Sequence, residues 1–201
     1  MNPLLALVIA YLLGAVPFGY LLVKLKTGRD VRTVGSGNIG ATNVLRATGR
    51  GSAVMVLLLD IAKGWLAVWL AGTLTASEPL WTAAAALAVM GGHAFPVFLK
   101  FRGGKAVASC VGAFLCLAPL ALAVALVVFV LVVAKSRYIS LGSISAAATL
   151  PLAVWLVSHP HWAVTGAAVL AGAFIIWRHR ENIIRLRAGT ENVFRFGGRP
   201  S

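Results

Sequence analysis

Two glycine-rich stretches interrupt the apolar segments of this 201-residue chain: Gly35-Ser36-Gly37-Asn38-Ile39-Gly40-Ala41-Thr42-Asn43 and Lys100-Phe101-Arg102-Gly103-Gly104-Lys105. In the first, Gly35, Gly37 and Gly40 let consecutive backbone N–H groups turn toward an anion, while Ser36, Asn38, Thr42 and Asn43 add neutral donors. Arg46 and Arg50 follow at helical spacing and bring permanent charge suited to a phosphate. In the second, Gly103-Gly104 precede Lys105 and Ala106 opens a helix, so helix N-terminal N–H groups and an ammonium face one anion. The first stretch is not a dinucleotide fingerprint, because no strand precedes it, nor a Walker loop, because no Lys follows its last glycine. Alone, either stretch also reads as an interfacial connection or a charged helix anchor. Together they point to a phosphorylated substrate.

A third polar element lies at the end of the last apolar segment, Trp177-Arg178-His179-Arg180-Glu181-Asn182, with Gly189-Thr190-Glu191-Asn192 beyond it. His179 and Asn182 are three apart and share a helix face, where they can point at a reacting hydroxyl or phosphate. Glu191 is one of only five acidic residues and stands among arginines. It therefore reads as an ion-pair anchor and not as a catalyst. Asp60 and Lys63 fall inside an apolar segment, where their i, i+3 spacing permits a structural ion pair. A proton relay there would need a further titratable group at the same depth, and the sequence offers none plainly. His93 is an additional polar residue near the second loop.

The elements that must position these groups are membrane helices. With 60% hydrophobic and 11% charged residues, the composition excludes a water-soluble globule. A crossing needs about 20 apolar residues, and segments 4–23, 53–71, 139–157 and 162–177 come close to or reach that length. The first has neither the basic start nor the cleavage site of a signal peptide, so it reads as a retained span. Segment 79–90 is expected to end in a bend at Gly91-Gly92-His93 and Pro96. Segment 106–134 carries Pro119 near its middle and is read as two short crossings that meet at Leu117-Ala118-Pro119. Cys110 and Cys116 are apolar packing residues.

Charge supports that count. Of the 18 basic residues, all but Lys63 fall into clusters at 24–50, 100–105, 135–137 and 178–199. Two crossings over 106–134 put every cluster on one side, which the positive-inside rule makes cytoplasmic. The expected fold is an all-α integral membrane protein of seven transmembrane helices, forming a single domain over 1–201. Its N-terminus lies outside, its C-terminus is cytoplasmic, and its glycine-rich cytoplasmic loops form the active site. The net charge of +13 gathers on that face, where it attracts anionic lipid and concentrates phosphate substrates alike.

The GSGNIGATN loop with its following Arg, the KFRGGK loop, and the C-terminal His-x-x-Asn with Gly-Thr-Glu resemble the bacterial acyl-phosphate:glycerol-3-phosphate acyltransferase family, and the resemblance covers essentially the whole chain. It departs at Ala106-Val107-Ala108-Ser109, where the family often has Gly-Val-Ala-Thr. The resemblance implies transfer of a fatty acyl group from acyl phosphate to the 1-hydroxyl of glycerol 3-phosphate, giving lysophosphatidate and inorganic phosphate. It implies catalytic roles for Ser36, Arg46, His179 and Asn182, glycerol-phosphate binding by Gly103, Gly104 and Lys105, and a structural role for Glu191. It places the protein in the bacterial inner membrane, within phospholipid synthesis. An acyl phosphate is already activated, so neither a covalent intermediate nor a cofactor or metal is expected. Membrane lipid is the only other partner expected, with no nucleic acid and no obligate protein. The proton acceptor is either His179 or a phosphate oxygen of the donor. The competing class is a transporter or flippase for a phosphorylated anion. Against it, the sequence has no internal repeat, and its polar motifs lie at one face instead of at the midplane.

Overall fold

Proline sets most of the boundaries in this chain. The computed structural model describes residues 2–158 and 160–194, all helical or connecting, with no strand among them. His159, in the connection after the fifth long apolar stretch, and the basic residues Arg195 and Arg199 lie outside the described residues. Two compact units divide the chain, residues 1–117 and 118–201.

The first unit contains α1 (Pro3–Ala15), α2 (Phe18–Thr27), α3 (Ala41–Thr48), α4 (Arg50–Leu74), α5 (Pro79–Ala94) and α6 (Val107–Leu117). The expected single helix over 4–23 is broken at Val16-Pro17 because proline has no N–H to continue the ladder. The expected bend at Gly91-Gly92 is not there. α5 runs through both glycines to Ala94, and the chain turns only at Pro96, into a short 3₁₀ turn Val97–Leu99. Those glycines serve packing instead: a Cβ on Gly92 would lie 2.0 Å from the Tyr11 carbonyl oxygen, and one on Gly14 would lie 2.1 Å from that of Val89. α1 and α5 thus touch backbone to backbone. α4 and α6 do the same through Gly64 against the Ser109 carbonyl and Gly112 against that of Ile61. In lipid, where apolar attraction between helices is weak, such small-residue contacts supply the dispersion energy that holds helices together. α4 packs against all five other helices of the unit.

The second unit contains α7 (Pro119–Ser136), α8 (Ile139–Ala153), continued by a π-helical turn Val154–Ser158 after Pro151, then α9 (Trp162–Arg178) and α10 (Arg180–Arg187). α8 packs on both α7 and α9, with Gly172 set against the Ala147 carbonyl. Large apolar side chains such as Leu120, Val127, Val130 and Leu131 of α7 are exposed, as a lipid-facing helix requires.

Among the described residues, five helices are long and apolar enough to cross a membrane: Pro3–Thr27, in which α1 and α2 count together, Arg50–Leu74, Pro79–Leu99, Pro119–Ser136 and Ile139–Ser158. A sixth is reached by joining α9 and α10, which bend by 55°. α6, with 11 residues, is apolar but shorter than a full crossing needs.

The glycine contacts make a direct prediction. Gly92→Val or Gly112→Val lowers the thermal stability of the purified protein by the equivalent of about 1–3 kcal/mol. Gly91→Ala, which meets nothing within 4 Å, leaves it unchanged. Unaltered melting of both valine variants would mean that these helices do not approach so closely.

Candidate active site

The first loop is built around one buried amide. α2 ends at Gly28 in the left-handed conformation, and Asp30 caps a 3₁₀ turn Val31–Thr33 by accepting the Arg32 N–H at 2.9 Å. The Arg32 guanidinium also pairs with Asp30 at 2.6 Å, and this hydrogen bond holds the Asp30 carboxyl below the usual carboxylate range. Beyond it, the Asn43 side chain, only 1% exposed, ties the loop together. Its Oδ1 accepts the Ser36 N–H at 2.9 Å, and its Nδ2 donates to the carbonyls of Val31, Val34 and Asn38 at 3.0, 2.9 and 2.8 Å. Gly35 sits at φ +56, and a Cβ there would stand 2.5 Å from Asn43 Oδ1, so glycine is required twice over. Asn38 Oδ1 accepts the Gly40 N–H at 2.9 Å where α3 begins. Val31, Ile39 and Val44 anchor the loop from below, in a cluster with Val23, Val56 and Leu99.

This arrangement bears on two expectations. Asn43, expected among the phosphate donors, has its buried amide engaged in four hydrogen bonds within the loop. Arg46 and Arg50 do not share a helix, because Gly49 (φ +86) separates α3 from α4. Ser36, Gly37 and Thr42 are left on the exposed side of the loop, with the half-buried Arg46 one turn further on and its stem beside Gly35. Arg46 also lines a cleft of about 410 Å³ with Val23, Thr27, Arg29, Val34 and Ala47. Two guanidinium groups at one cleft form a site for an anion.

The second loop lies against the end of α5. The Gly103 N–H donates to the Ala94 carbonyl at 3.1 Å, and the Gly104 N–H donates to that of His93 at 3.0 Å. A Cβ on Gly104 would stand 2.1 Å from His93 Nε2, and one on Gly103 would stand 2.2 Å from the His93 carbonyl oxygen. These two glycine N–H groups cap α5. The donors this loop can turn toward an anion are the Lys105 ammonium and the first-turn N–H groups of α6. Ala106 has φ +60 on entering α6. An alanine there costs on the order of 1–2 kcal/mol relative to glycine.

In the second unit, α9 and α10 meet at His179, which caps both, so His179 and Asn182 stand on either side of a bend and not on one straight helix face. His179 is 3% exposed, and its Nδ1 lies 2.8 Å from the Ile175 carbonyl. A carbonyl only accepts, so Nδ1 carries a proton and donates it to Ile175. Asn182 Nδ2 donates to Glu191 Oε1 at 2.8 Å, Ser140 Oγ donates to the same oxygen at 3.0 Å, and Arg185 Nε donates to Glu191 Oε2 at 2.8 Å. Burial alone would raise the Glu191 pKa, but these hydrogen bonds outweigh it and hold the carboxyl below its ordinary 4.5. The geometry fits an anchor that fixes Asn182.

Asp60 and Lys63, 2% and 5% exposed on α4, pair at 2.8 Å. The sequence suggested no further titratable group at that depth, yet His93 Nδ1 lies 3.6 Å from Asp60 Oδ1. The 33-residue separation left no local signal of this neighbour, nor did any spacing mark Asn43 as different from the other polar residues of its loop.

The family model described as glycerol-3-phosphate acyltransferase matches residues 4–189. Proteins named glycerol-3-phosphate acyltransferase in Geotalea daltonii and Trichlorobacter lovleyi are 48% and 52% identical, each over 92% of this chain and 94% of their own. That of Geobacter sulfurreducens is 46% identical over 97% of this chain and 99% of its own. The crystal structure of PlsY (YgiH), an integral membrane glycerol 3-phosphate acyltransferase in its glycerol 3-phosphate form, superposes with a TM-score of 0.91. Its identity is 39%, and the match covers 97% of this chain and 96% of that one. The lysophosphatidic acid form gives a TM-score of 0.88 at 36% identity, with the same coverage.

The Glu191 geometry also fixes a pH dependence. Because the folded-state pKa lies below the ordinary 4.5, the anchor stabilises the protein fully above that pH and fades as pH falls through the lower folded value. Glu191→Gln is therefore expected to cost on the order of 1–3 kcal/mol at neutral pH. Thermal melts of variant and wild type should converge as the medium is acidified below 4.5. A constant gap down to that acidity would mean that the carboxylate charge is not what anchors the loop.

Proposed function

The chain belongs to the glycerol-3-phosphate acyltransferase family, and on that premise we propose how its residues carry the reaction. It is an integral membrane enzyme that transfers a fatty acyl group from acyl phosphate to the 1-hydroxyl of glycerol 3-phosphate, releasing lysophosphatidate and inorganic phosphate. This is an early step of phospholipid synthesis. The observation that carries the assignment of roles is the exposed edge of the Asn43-built loop, with Arg46 at a cationic cleft beside it.

Ser36 and Arg46 serve the phosphate and the developing oxyanion of the acyl donor, with Gly35, Gly37 and Asn38 shaping the loop and Thr42 and Arg50 at its margins. Fixed donors in a partly dry interface stabilise charge that grows in the transition state. Lys105 and the α6 N-terminus take the phosphate of glycerol 3-phosphate, and Gly103 and Gly104 hold them in place. The substrate hydroxyl attacks the acyl carbonyl, the carbonyl–phosphate bond breaks, and the hydroxyl proton passes to an oxygen of the departing phosphate. His179 and Asn182 bind and orient, with the His179 ring fixed through Nδ1 and Asn182 fixed by Glu191. Neither cysteine takes part, since Cys110 is buried and the donor needs no covalent relay.

Seven crossings, with the N-terminus outside and the loops on the cytoplasmic side of the inner membrane, follow when α6 is counted as a short span and α9 as a full one. The support is the gathering of the basic clusters on one side under that count. A family model running through both units supports one acyltransferase domain. The purified protein in lipid is expected to form lysophosphatidate from labelled glycerol 3-phosphate with acyl phosphate, and not with acyl-CoA or acyl carrier protein. Product only from a thioester donor would overturn the assignment. Ser36→Ala is expected to lower kcat about 10²–10³-fold with an unchanged melting temperature. Asn43→Ala is expected to lower activity and melting temperature together. Equal stability losses in the two variants would remove the distinction between loop builder and catalytic group.

A further inference from the structure

The buried charges of α4 connect two features that the reaction needs. Lys63 Nζ donates to the Val16 carbonyl at 2.9 Å, at the break between α1 and α2 that precedes the first loop. It also lies 5.5 Å from the centre of the Phe18 ring. Asp60 lies between Lys63, at 2.8 Å, and His93, at 3.6 Å. His93 is 4% exposed in the last turn of α5 and carries the second loop on both its ring and its backbone: its carbonyl accepts the Gly104 N–H, and its Nε2 edge leaves no room for a Gly104 side chain. The path Val16, Lys63, Asp60, His93, Gly104 ends one residue before Lys105.

A buried ion pair contributes little net stability over an apolar packing of similar shape, while it does fix the groups it touches. We propose that Asp60, Lys63 and His93 are positioning residues that set the Gly103-Gly104 loop, and with it the Lys105 ammonium, at the height required to bind the phosphate of glycerol 3-phosphate. Asp60 stands against the His93 ring at 3.6 Å, beyond hydrogen-bond reach, so that its charge biases the ring; the ring and carbonyl of His93 support Gly104, and Lys63 ties the same carboxylate to the α1–α2 break. None of the three touches substrate. The inference rests on the reading of Lys105 as the ligand of that phosphate.

Kinetics in lipid separate the two statements. Lys105→Ala tests the reading itself and should raise KM for glycerol 3-phosphate; an unchanged KM would sink that reading and this inference with it. If Lys105→Ala behaves as expected, Asp60→Asn and His93→Gln should each raise KM for glycerol 3-phosphate by about tenfold or more, while KM for acyl phosphate stays within about twofold. A purely structural role would lower melting temperature and the active fraction and leave KM alone, and that outcome overturns the inference. Should Asp60→Asn not fold, a second pair decides. Gly104→Ala should raise KM for glycerol 3-phosphate through its clash with His93, and should add little in a His93→Ala background, where the ring is gone. Additive effects of Gly104→Ala and His93→Ala would contradict the support of the loop by that ring.

Discussion

Backbone that leaves a helix near a bilayer must find partners for its N–H and C=O groups, and this constraint governs all three polar elements of the protein. Each is solved by a buried group inside the fold. The Asn43 amide, with four hydrogen bonds to the chain around it, holds the 31–43 loop. The last carbonyls of α5 accept the N–H groups of Gly103 and Gly104 and so end the helix and fix the loop in one step. Glu191 gathers Ser140, Asn182 and Arg185 beyond α9. The irregular segments that carry chemistry are therefore held by the protein's own interior.

A division of labour follows. The polar residues that face inward build the loops, while Ser36 and Thr42 in the first unit are exposed, Arg46 lies at an open cleft and Lys105 is partly exposed. Such preorganisation lets donors meet developing charge without rearranging, which is where electrostatic catalysis gains most. The scaffold beneath is α4, whose glycine contacts with α6 bring backbones together and whose buried Asp60 and Lys63 pair with each other, Asp60 lying 3.6 Å from His93.

Much of this was legible in the sequence, and the failures have physical causes. Apolar runs located the helices, and Pro119 marked the break at Ala118, because lipid and proline impose rules that act locally. Residue type in the two glycine-rich loops pointed to a phosphate, and the acyl transfer came from the family resemblance that the three motifs carry. Gly91-Gly92 misled because glycine marks a break in water-exposed helices, whereas between lipid-packed helices it marks close approach to Tyr11. The inward direction of Asn43 was not legible, because an inward and an outward amide look alike in a polar string. Its neighbour Val44, buried on the same short helix, was the one hint of its direction. Arg46 and Arg50 were joined by a spacing that Gly49 breaks, and the neighbourhood of Asp60 and His93 exists only in three dimensions.

The central claim, that the phosphate-handling loop is assembled before any substrate arrives, is open to hydrogen exchange on the ligand-free protein in lipid. The Ser36 amide, held by Asn43 Oδ1, and the Gly37 amide, held by the Val34 carbonyl at 3.0 Å, are the reporters. Protection of both amides well beyond that of a free peptide, lost on Asn43→Ala, is the predicted result. Exchange as fast as an unstructured chain until glycerol 3-phosphate and an acyl phosphate analogue are added would contradict it, because the loop would then be ordered by its ligands and not by the fold.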